Sequence, residues 1–257
     1  MSSRLHDVVG WTLVEAEELL KPLRLVPENR PEELVRKNIE IRGNPYQLRS
    51  AGWTDERGTL NVKYCRMQSG KLDIAMLMVY PTTRPDLLPV FVAEWVVVGD
   101  RCRVAVLDVH TAGKQPKLDR ELAEAFDPIG ERRQKQLPTD TDCPEWFREL
   151  SKPWAIFSSC TIDRAGALHE AFREYLQASV DLYFLPRQSL CEGGPEADSV
   201  VKYKHYGFAH TPGRAILHTT FGAEYAEAFL RWHFGPPNQS MQQPAEEASI
   251  PGIEAHR

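Results

Sequence analysis

The pattern of hydrophobic and polar positions changes near Leu60 and separates a helical first part from a strand-rich centre. Before it, apolar residues from Leu13 to Leu20 recur at helical spacing and Pro31 opens a second candidate helix, so the first 50 residues are predicted to be helical. After it come four apolar strands joined by short loops: LNVKYCRM, DIAMLMVY, VFVAEWVVV and CRVAVLDV. Links this short cannot cross over to a parallel neighbour, which predicts an antiparallel meander.

The middle strands are apolar on both faces, so helices should cover both sides of the sheet. Helical spacing supplies three candidates after the meander, and one more apolar stretch could be a strand: Lys117–Phe126, Arg164–Tyr183, Gly222–Trp232 and Trp154–Ile162. We therefore predict an α/β protein, a three-layer α/β/α sandwich with a central, mostly antiparallel sheet. We expect a single domain over residues 1–235, and the Pro-, Gln- and Glu-rich tail, 236–257, is predicted to be disordered.

Composition narrows the function. The chain is 42% hydrophobic, enough for a core, and no apolar run reaches the ~18 residues of a membrane helix. The first residues look like neither a signal nor a transit peptide, so we expect a cytoplasmic protein. A net charge of −5 argues against nucleic-acid binding. Five dispersed cysteines without C-x-x-C indicate neither a disulfide framework nor a metal centre.

Motifs for bound cofactors are missing: the chain has no G-x-G-x-x-G after a strand, no Walker loop and no H-E-x-x-H. We therefore expect no bound nucleotide, flavin or catalytic metal. Any redox chemistry would use protonatable side chains and electrons brought from outside.

Glu94 is the one ionisable residue in VFVAEWVVV. Strand alternation puts it on one face with Val92 and Val96, where a desolvated carboxyl would hold its proton near neutral pH and could donate it. A pairing with a nearby basic residue, or a wet strand edge, is the alternative. Asp108 ends the next strand beside His110, where a turn or cap role is the ordinary interpretation.

Three histidines, His205, His210 and His218, precede the last predicted helix in a segment that we expect to be partly loop. Their spacing matches no metal-binding pattern, so a pocket lining or solvent exposure is the simpler interpretation.

The order of segments resembles the ferredoxin-dependent bilin reductases and their relative, red chlorophyll catabolite reductase. The resemblance covers about three quarters of the chain and rests on six pieces taken together: L-D-I at Leu72–Ile74, Tyr80-Pro81, Leu88–Phe91, Ala105–Asp108, Lys152–Ser158, and the arginine-to-phenylalanine pattern from Arg214 to Phe229.

The resemblance implies a fold whose sheet and C-terminal helices hold a linear tetrapyrrole. It implies no bound cofactor and single electrons from reduced ferredoxin, whose 2Fe-2S cluster stays on that partner. The chain departs from the family pattern at several proton donors: Glu94 stands for an aspartate, Met76 for a histidine, Cys65 for a glutamate, and His210-Thr211 for a C-terminal acid.

By this resemblance Glu94 and His210 are the candidate proton donors. Arg214 and Lys204 could bind the two propionates, since both side chains make charge-assisted bonds to carboxylates. The remaining candidate substrate contacts are Met76, Asp108 and Thr211.

Ferredoxin is acidic, so its docking surface should be locally basic despite the net charge. The candidates are Arg132, Arg133, Lys135 and Lys202, although such a run is often only a solvated face. The predicted function is ferredoxin-dependent reduction of a biliverdin-type or chlorophyll-derived bilin through a substrate radical, in phytobilin biosynthesis, by a monomer. A non-catalytic tetrapyrrole-binding protein, or the same fold adapted to another small conjugated substrate, is the alternative.

Overall fold

The computed structural model describes residues 5–82, 87–138, 143–184, 198–211 and 213–235. The tail predicted to be disordered, 236–257, lies outside them. The chain divides into two compact units, Met1–Ala197 and Asp198–Arg257, each described below by itself. The single domain predicted over residues 1–235 stays a prediction.

The first unit holds eight strands and five α-helices in its described residues. The strands are β1 Leu25–Pro27, β2 Arg36–Ile41, β3 Asn44–Asp55, β4 Leu60–Ser69, β5 Leu72–Pro81, β6 Val90–Val98, β7 Arg101–His110 and β8 Ile156–Thr161. The helices are α1 Leu5–Leu20, α2 Glu32–Val35, α3 Pro116–Gln136, α4 Glu145–Leu150 and α5 Ala165–Phe184, with 3-10 turns at Lys21–Leu23 and Ile162–Arg164.

All eight strands belong to one sheet whose strand pairs are antiparallel. The order is β1-β3-β4-β5-β6-β7-β8, and β2 pairs with the first half of β3 on the same edge as β1. Strands adjacent in sequence from β2 to β8 are therefore adjacent in space. The links from β2 to β7 are short, as an antiparallel meander requires, whereas β8 follows β7 after α3 and α4. The predicted α/β class with its antiparallel central sheet is confirmed.

One face of the sheet carries the large core. Phe91, Ala93 and Trp95 on β6 belong to the same buried cluster as the inward sides of α1, α3 and α5. The indole nitrogen of Trp95 donates to Thr12 Oγ1 of α1 at 2.9 Å, so even the polar atom of this buried ring is satisfied. We call this side the helical face.

Successive side chains of each strand point to opposite faces of the sheet. Glu94 on β6 and Asp108 on β7 therefore lie on the other face, away from α1, α3 and α5. We call it the carboxylate face, after these two residues. At its β7–β8 edge, Val106 and Phe157 form a separate buried cluster with Phe147 of α4. Helices of the first unit therefore pack on both sides of the sheet.

The prediction of a wholly helical first part is wrong at the short strand β1 and again beyond α2. Residues 36–41 alternate between exposed and half-buried positions, and they turn into β3 through Arg42 and Gly43. Both turn residues have positive φ, 51° and 77°, as a two-residue hairpin turn requires. The alternating pattern of β2 covers only six residues and β1 has only three, so neither strand gives a strong signal in the sequence.

The second unit contains three helices in its described part: α6 Asp198–His210, α7 Gly213–Phe221 and α8 Ala223–Phe234. α6 and α8 approach closely at Gly207, where an added Cβ would lie 2.8 Å from the Phe234 ring. The histidine-rich segment, expected to be partly loop, is helical up to His210 and again from Gly213, with Thr211 outside both helices. Apolar packing in three dimensions outweighs the glycines and proline that suggested a loop.

Candidate active site

The carboxylate face places Glu94 in a continuous row of side chains that crosses the sheet. Strand register pairs Cys65 with Met76, Met76 with Glu94, and Glu94 with Val106. Directly paired residues on one face have Cβ atoms roughly 4.5–5.5 Å apart, so these side chains are immediate neighbours. The sequence predicted Glu94 and Met76 as site residues, and the fold brings them side by side.

Glu94 is a desolvated acid. Its side chain is 5% exposed, and among the residues that the structure describes it makes no hydrogen bond or ion pair. Burial raises the pKa of its carboxyl from 4.5 to about 7. The alternatives of a salt bridge or a wet edge are therefore not what the structure shows. A carboxyl that keeps its proton near neutral pH can serve as a general acid.

The other side chains of the row, which also ends on the apolar Val106, offer no comparable proton. Met76 is buried and has no ionisable group. Cys65 has its pKa raised to about 12, chiefly by burial and then by the charge of Glu94. Its thiol is consequently neutral and weakly acidic, which leaves Glu94 as the acid of this row.

Asp108 and His110 form a buried pair on the same face. Asp108 Oδ2 lies 3.0 Å from His110 Nδ1, and the side chains of Asp108 and His110 are 2% and 5% exposed. Asp108 sits diagonally across the sheet from Glu94, because Glu94 pairs with Val106 two positions earlier in β7. Diagonal neighbours lie roughly 7–8 Å apart. Asp108 is thus part of an acid–base pair rather than a turn or cap.

A buried lysine that no local sequence pattern marks also lies on the carboxylate face. Lys63 is 3% exposed, pairs across the sheet with Met78, and forms an ion pair with Glu28. Strand alternation from Cys65 would have placed it on this face. Its burial depends on a partner 35 residues away, which no local pattern reveals.

The other predicted substrate contacts belong to the second unit. The guanidinium of Arg214 pairs with Glu227, lies 4.7 Å from the centre of the Phe208 ring, and donates to the Phe208 carbonyl at 3.2 Å. A propionate would therefore compete with Glu227 for Arg214. The centre of the His210 ring lies 4.3 Å from that of the Tyr206 ring, with the two planes tilted by 38°.

Two further predicted residues adjoin these contacts. The buried Thr211 follows α6, and its amide donates to the Gly207 carbonyl at 3.0 Å. Lys204 runs beside Gly235, where an added Cβ would lie 2.8 Å from Lys204 Nζ. In the second unit Thr211 and Arg214 thus lie at the junction of α6 and α7, and the Lys204 side chain, from the middle of α6, lies beside the residue that follows α8.

The described residues contain no cluster of three or more His, Cys, Asp or Glu side chains that could hold a metal ion. In the same residues no helix is long and apolar enough to cross a bilayer.

Comparison with known proteins shows to which family the chain belongs. The sequence pattern described as ferredoxin-dependent bilin reductase matches residues 16–233, which is most of the chain. The chain belongs to the ferredoxin-dependent bilin reductases. This bilin reductase is accordingly an oxidoreductase of a family that takes its electrons from ferredoxin, and the resemblance seen in the sequence is confirmed.

Relatives of this bilin reductase carry more specific names. The phycoerythrobilin:ferredoxin oxidoreductase of a Synechococcus species is 26% identical over 223 residues, covering 82% of this chain and 84% of that protein. The protein of the same name from Gloeobacter violaceus is 24% identical over 230 residues, covering 85% and 91%.

Among solved structures, phytochromobilin synthase from tomato in complex with biliverdin shares the fold. The TM-score is 0.72 at 15% identity, and the match covers 93% of this chain and 86% of that one.

The basic run of this bilin reductase is only partly available for docking. Arg133 is 5% exposed and its guanidinium lies 2.8 Å from both Glu170 and Glu174 of α5. Those pairs raise its pKa and fix α3 against α5, so its predicted role in docking is corrected to a structural one. Arg132 is exposed and also pairs with Glu174 at 2.8 Å. The exposed residues that remain candidates are Arg132, Lys135 and Lys202.

Proposed function

We propose that this protein reduces a linear tetrapyrrole, a biliverdin-type or chlorophyll-derived bilin, with single electrons from reduced ferredoxin and a proton from Glu94. The proposal rests on one observation above all: within the family fold, a single carboxyl is buried in the row Cys65–Met76–Glu94 with its pKa raised to about 7. The biliverdin bound by the structurally similar phytochromobilin synthase supports the substrate class.

The raised pKa of Glu94 sets the fraction of its carboxyl that is protonated at neutral pH. At pH 7 a carboxyl with the ordinary value of 4.5 is protonated in roughly one molecule in 300, whereas a value of about 7 leaves about half protonated. Ferredoxin delivers one electron at a time, so the first reduced species is a radical. A protonated Glu94 next to that radical neutralises its charge at once, and the apolar surroundings keep water away from it.

We assign the substrate's two propionates to Arg214 and Lys204 of the second unit, and further contacts to Met76, Asp108 and Thr211. Arg214 would exchange its ion pair with Glu227 for a propionate, which conserves one charge-assisted bond. His210 is a second candidate donor. Reduced ferredoxin is the proposed partner, docking at Arg132, Lys135 and Lys202. Action as a monomer in the cytoplasm, without a bound cofactor, belongs to the same proposal.

The test is an anaerobic assay with ferredoxin, its reductase and biliverdin or a chlorophyll-derived bilin. Wild type should change the visible spectrum of the bilin, and Glu94→Gln should bind the bilin but slow the change by more than tenfold. Glu40→Gln, an exposed glutamate on β2, is the matched control and should leave the rate unchanged. The proposal is refuted if wild type reduces no open-chain tetrapyrrole in this assay.

One observation favours a second candidate, a non-catalytic bilin-binding protein. Met76 and Cys65 stand where the family resemblance places a histidine and a glutamate, and neither is a useful acid near neutral pH. This candidate predicts a tight, spectrally visible bilin complex that reduced ferredoxin leaves unaltered. Activity on a different conjugated substrate would instead show ferredoxin-dependent turnover with no response to biliverdin.

A further inference from the structure

Reducing one double bond requires a second proton, which Glu94 alone does not supply in one turnover. Two electrons and two protons must be added, and each carboxyl delivers one proton before it is recharged from solvent. This inference rests on the proposed function. A second group must therefore provide that proton.

The pair Asp108 and His110 has the geometry for this task. Both side chains lie on the face that carries Glu94, both are more than nine-tenths buried, and Nδ1 and Oδ2 are 3.0 Å apart. In the described part of the chain, the second carboxylate oxygen, Asp108 Oδ1, is buried without a hydrogen-bond partner. A buried acceptor of this kind calls for a partner, and a proton or a substrate N–H group would satisfy it.

Charge explains why the pair can store a proton. Imidazolium beside carboxylate has no net charge, whereas imidazole beside carboxylate leaves one buried negative charge. A bilin that has accepted its second electron is a strong base, and a proton carried by this pair can be transferred to it.

We propose that Asp108 and His110 act together as the second proton donor of the reaction. The first electron from ferredoxin and the Glu94 proton give a neutral radical, in which the new bond to hydrogen replaces the Glu94 O–H bond. The second electron converts this radical into an anion. The second bond to hydrogen then forms on this anion as a bond to hydrogen in the pair breaks. The broken bond is either an N–H bond of the His110 imidazolium or the O–H bond of Asp108 after it has received the proton from His110. Solvent recharges both groups.

Other groups on this face are less suited. Met76 has no proton to give, and the Cys65 thiol, with its pKa raised to about 12, is a weak acid. Lys63 is held in an ion pair with Glu28. The remaining competitor is His210 of the second unit, which the experiment includes as a separate variant.

The experiment is a single turnover of the full-length protein with bound biliverdin and reduced ferredoxin, followed by absorbance and electron paramagnetic resonance. In His110→Gln and in Asp108→Asn, the radical should form at a rate within about threefold of wild type and then decay at least tenfold more slowly. Because the two residues act as one unit, the double variant should decay no more slowly than the slower single variant.

Val109→Ala is the matched control, since Val109 lies between the pair on the same strand and points to the helical face. It should destabilise the strand and leave radical decay unchanged. The inference is overturned if both pair variants bind biliverdin and decay as wild type, if Val109→Ala slows decay equally, or if only His210→Gln prolongs the radical. A wild type that reduces no bilin would instead refute the proposed function itself.

Discussion

Replacing Glu94 by glutamine should make the folded protein more stable at alkaline pH, although it removes the proposed proton donor. Ionising a buried carboxyl without a partner costs free energy, and glutamine has the same shape but nothing to ionise. The folded state holds the Glu94 proton more tightly than the unfolded chain does. Wild type therefore loses stability as the pH rises from about 4.5 through about 7, and the variant does not.

The size of the effect follows from the two pKa values. A rise from 4.5 to about 7 corresponds to roughly 3 kcal/mol when the carboxyl is fully ionised. By pH 5 only about 1 kcal/mol of this is lost, so wild type should lose roughly 2–3 kcal/mol more than the variant between pH 5 and pH 8.5.

Urea unfolding of both proteins at the two pH values measures this difference, because contributions of all other titrating groups cancel between them. Glu40→Gln, which removes an exposed carboxylate from the same sheet, should change stability by less than about 0.5 kcal/mol at either pH. If the free energy of unfolding differs between Glu94→Gln and wild type by the same amount at pH 5 and pH 8.5, Glu94 is not a desolvated acid and has no raised pKa to support its role as proton donor.

The remaining predictions concern the reaction, the packing and the basic run. The rate of bilin reduction should fall as the pH rises past about 7, because the protonated form of Glu94 disappears; a pH–rate profile flat to pH 8.5 would contradict this. Gly130→Ala should destabilise the protein by about 1–3 kcal/mol in urea unfolding, since its Cβ would lie 2.6 Å from Trp154 Cβ. Gly166→Ala, with nothing within 4 Å, should be neutral or stabilising, and equal effects of the two substitutions would refute the packing argument. Arg133→Met should lower stability by about 1–3 kcal/mol without raising the KM for ferredoxin; a raised KM would restore this residue to the docking surface.

The central sheet could be predicted from the sequence because its signals are local. Strands β4 to β7 are apolar runs separated by short links, and short links allow only antiparallel neighbours. The N-terminal strands could not be recognised as readily, since β2 is an edge strand with half of its residues exposed. The helical nature of the histidine-rich segment also escaped prediction, because packing such as that of Gly207 on Phe234 comes from separate helices.

The same distinction applies to the site. Glu94 was recognisable because a lone acid in an apolar strand is a local anomaly. The environments of Lys63 and Arg133 were not, because each is buried through ion pairs with residues distant in sequence, Glu28 in one case and the α5 glutamates in the other. His110 is an intermediate case. Residues two apart on a strand share a face, so its pairing with Asp108 could have been predicted from the strand pattern.

The most direct test of the account is an anaerobic titration of the protein–biliverdin complex with chemically reduced ferredoxin. We predict that wild type consumes two equivalents of reduced ferredoxin for each double bond reduced, with the bilin absorption band shifting in proportion. A bilin spectrum that stays unaltered while ferredoxin remains reduced, with biliverdin and with a chlorophyll-derived bilin alike, would contradict the claim that this protein is a working tetrapyrrole reductase.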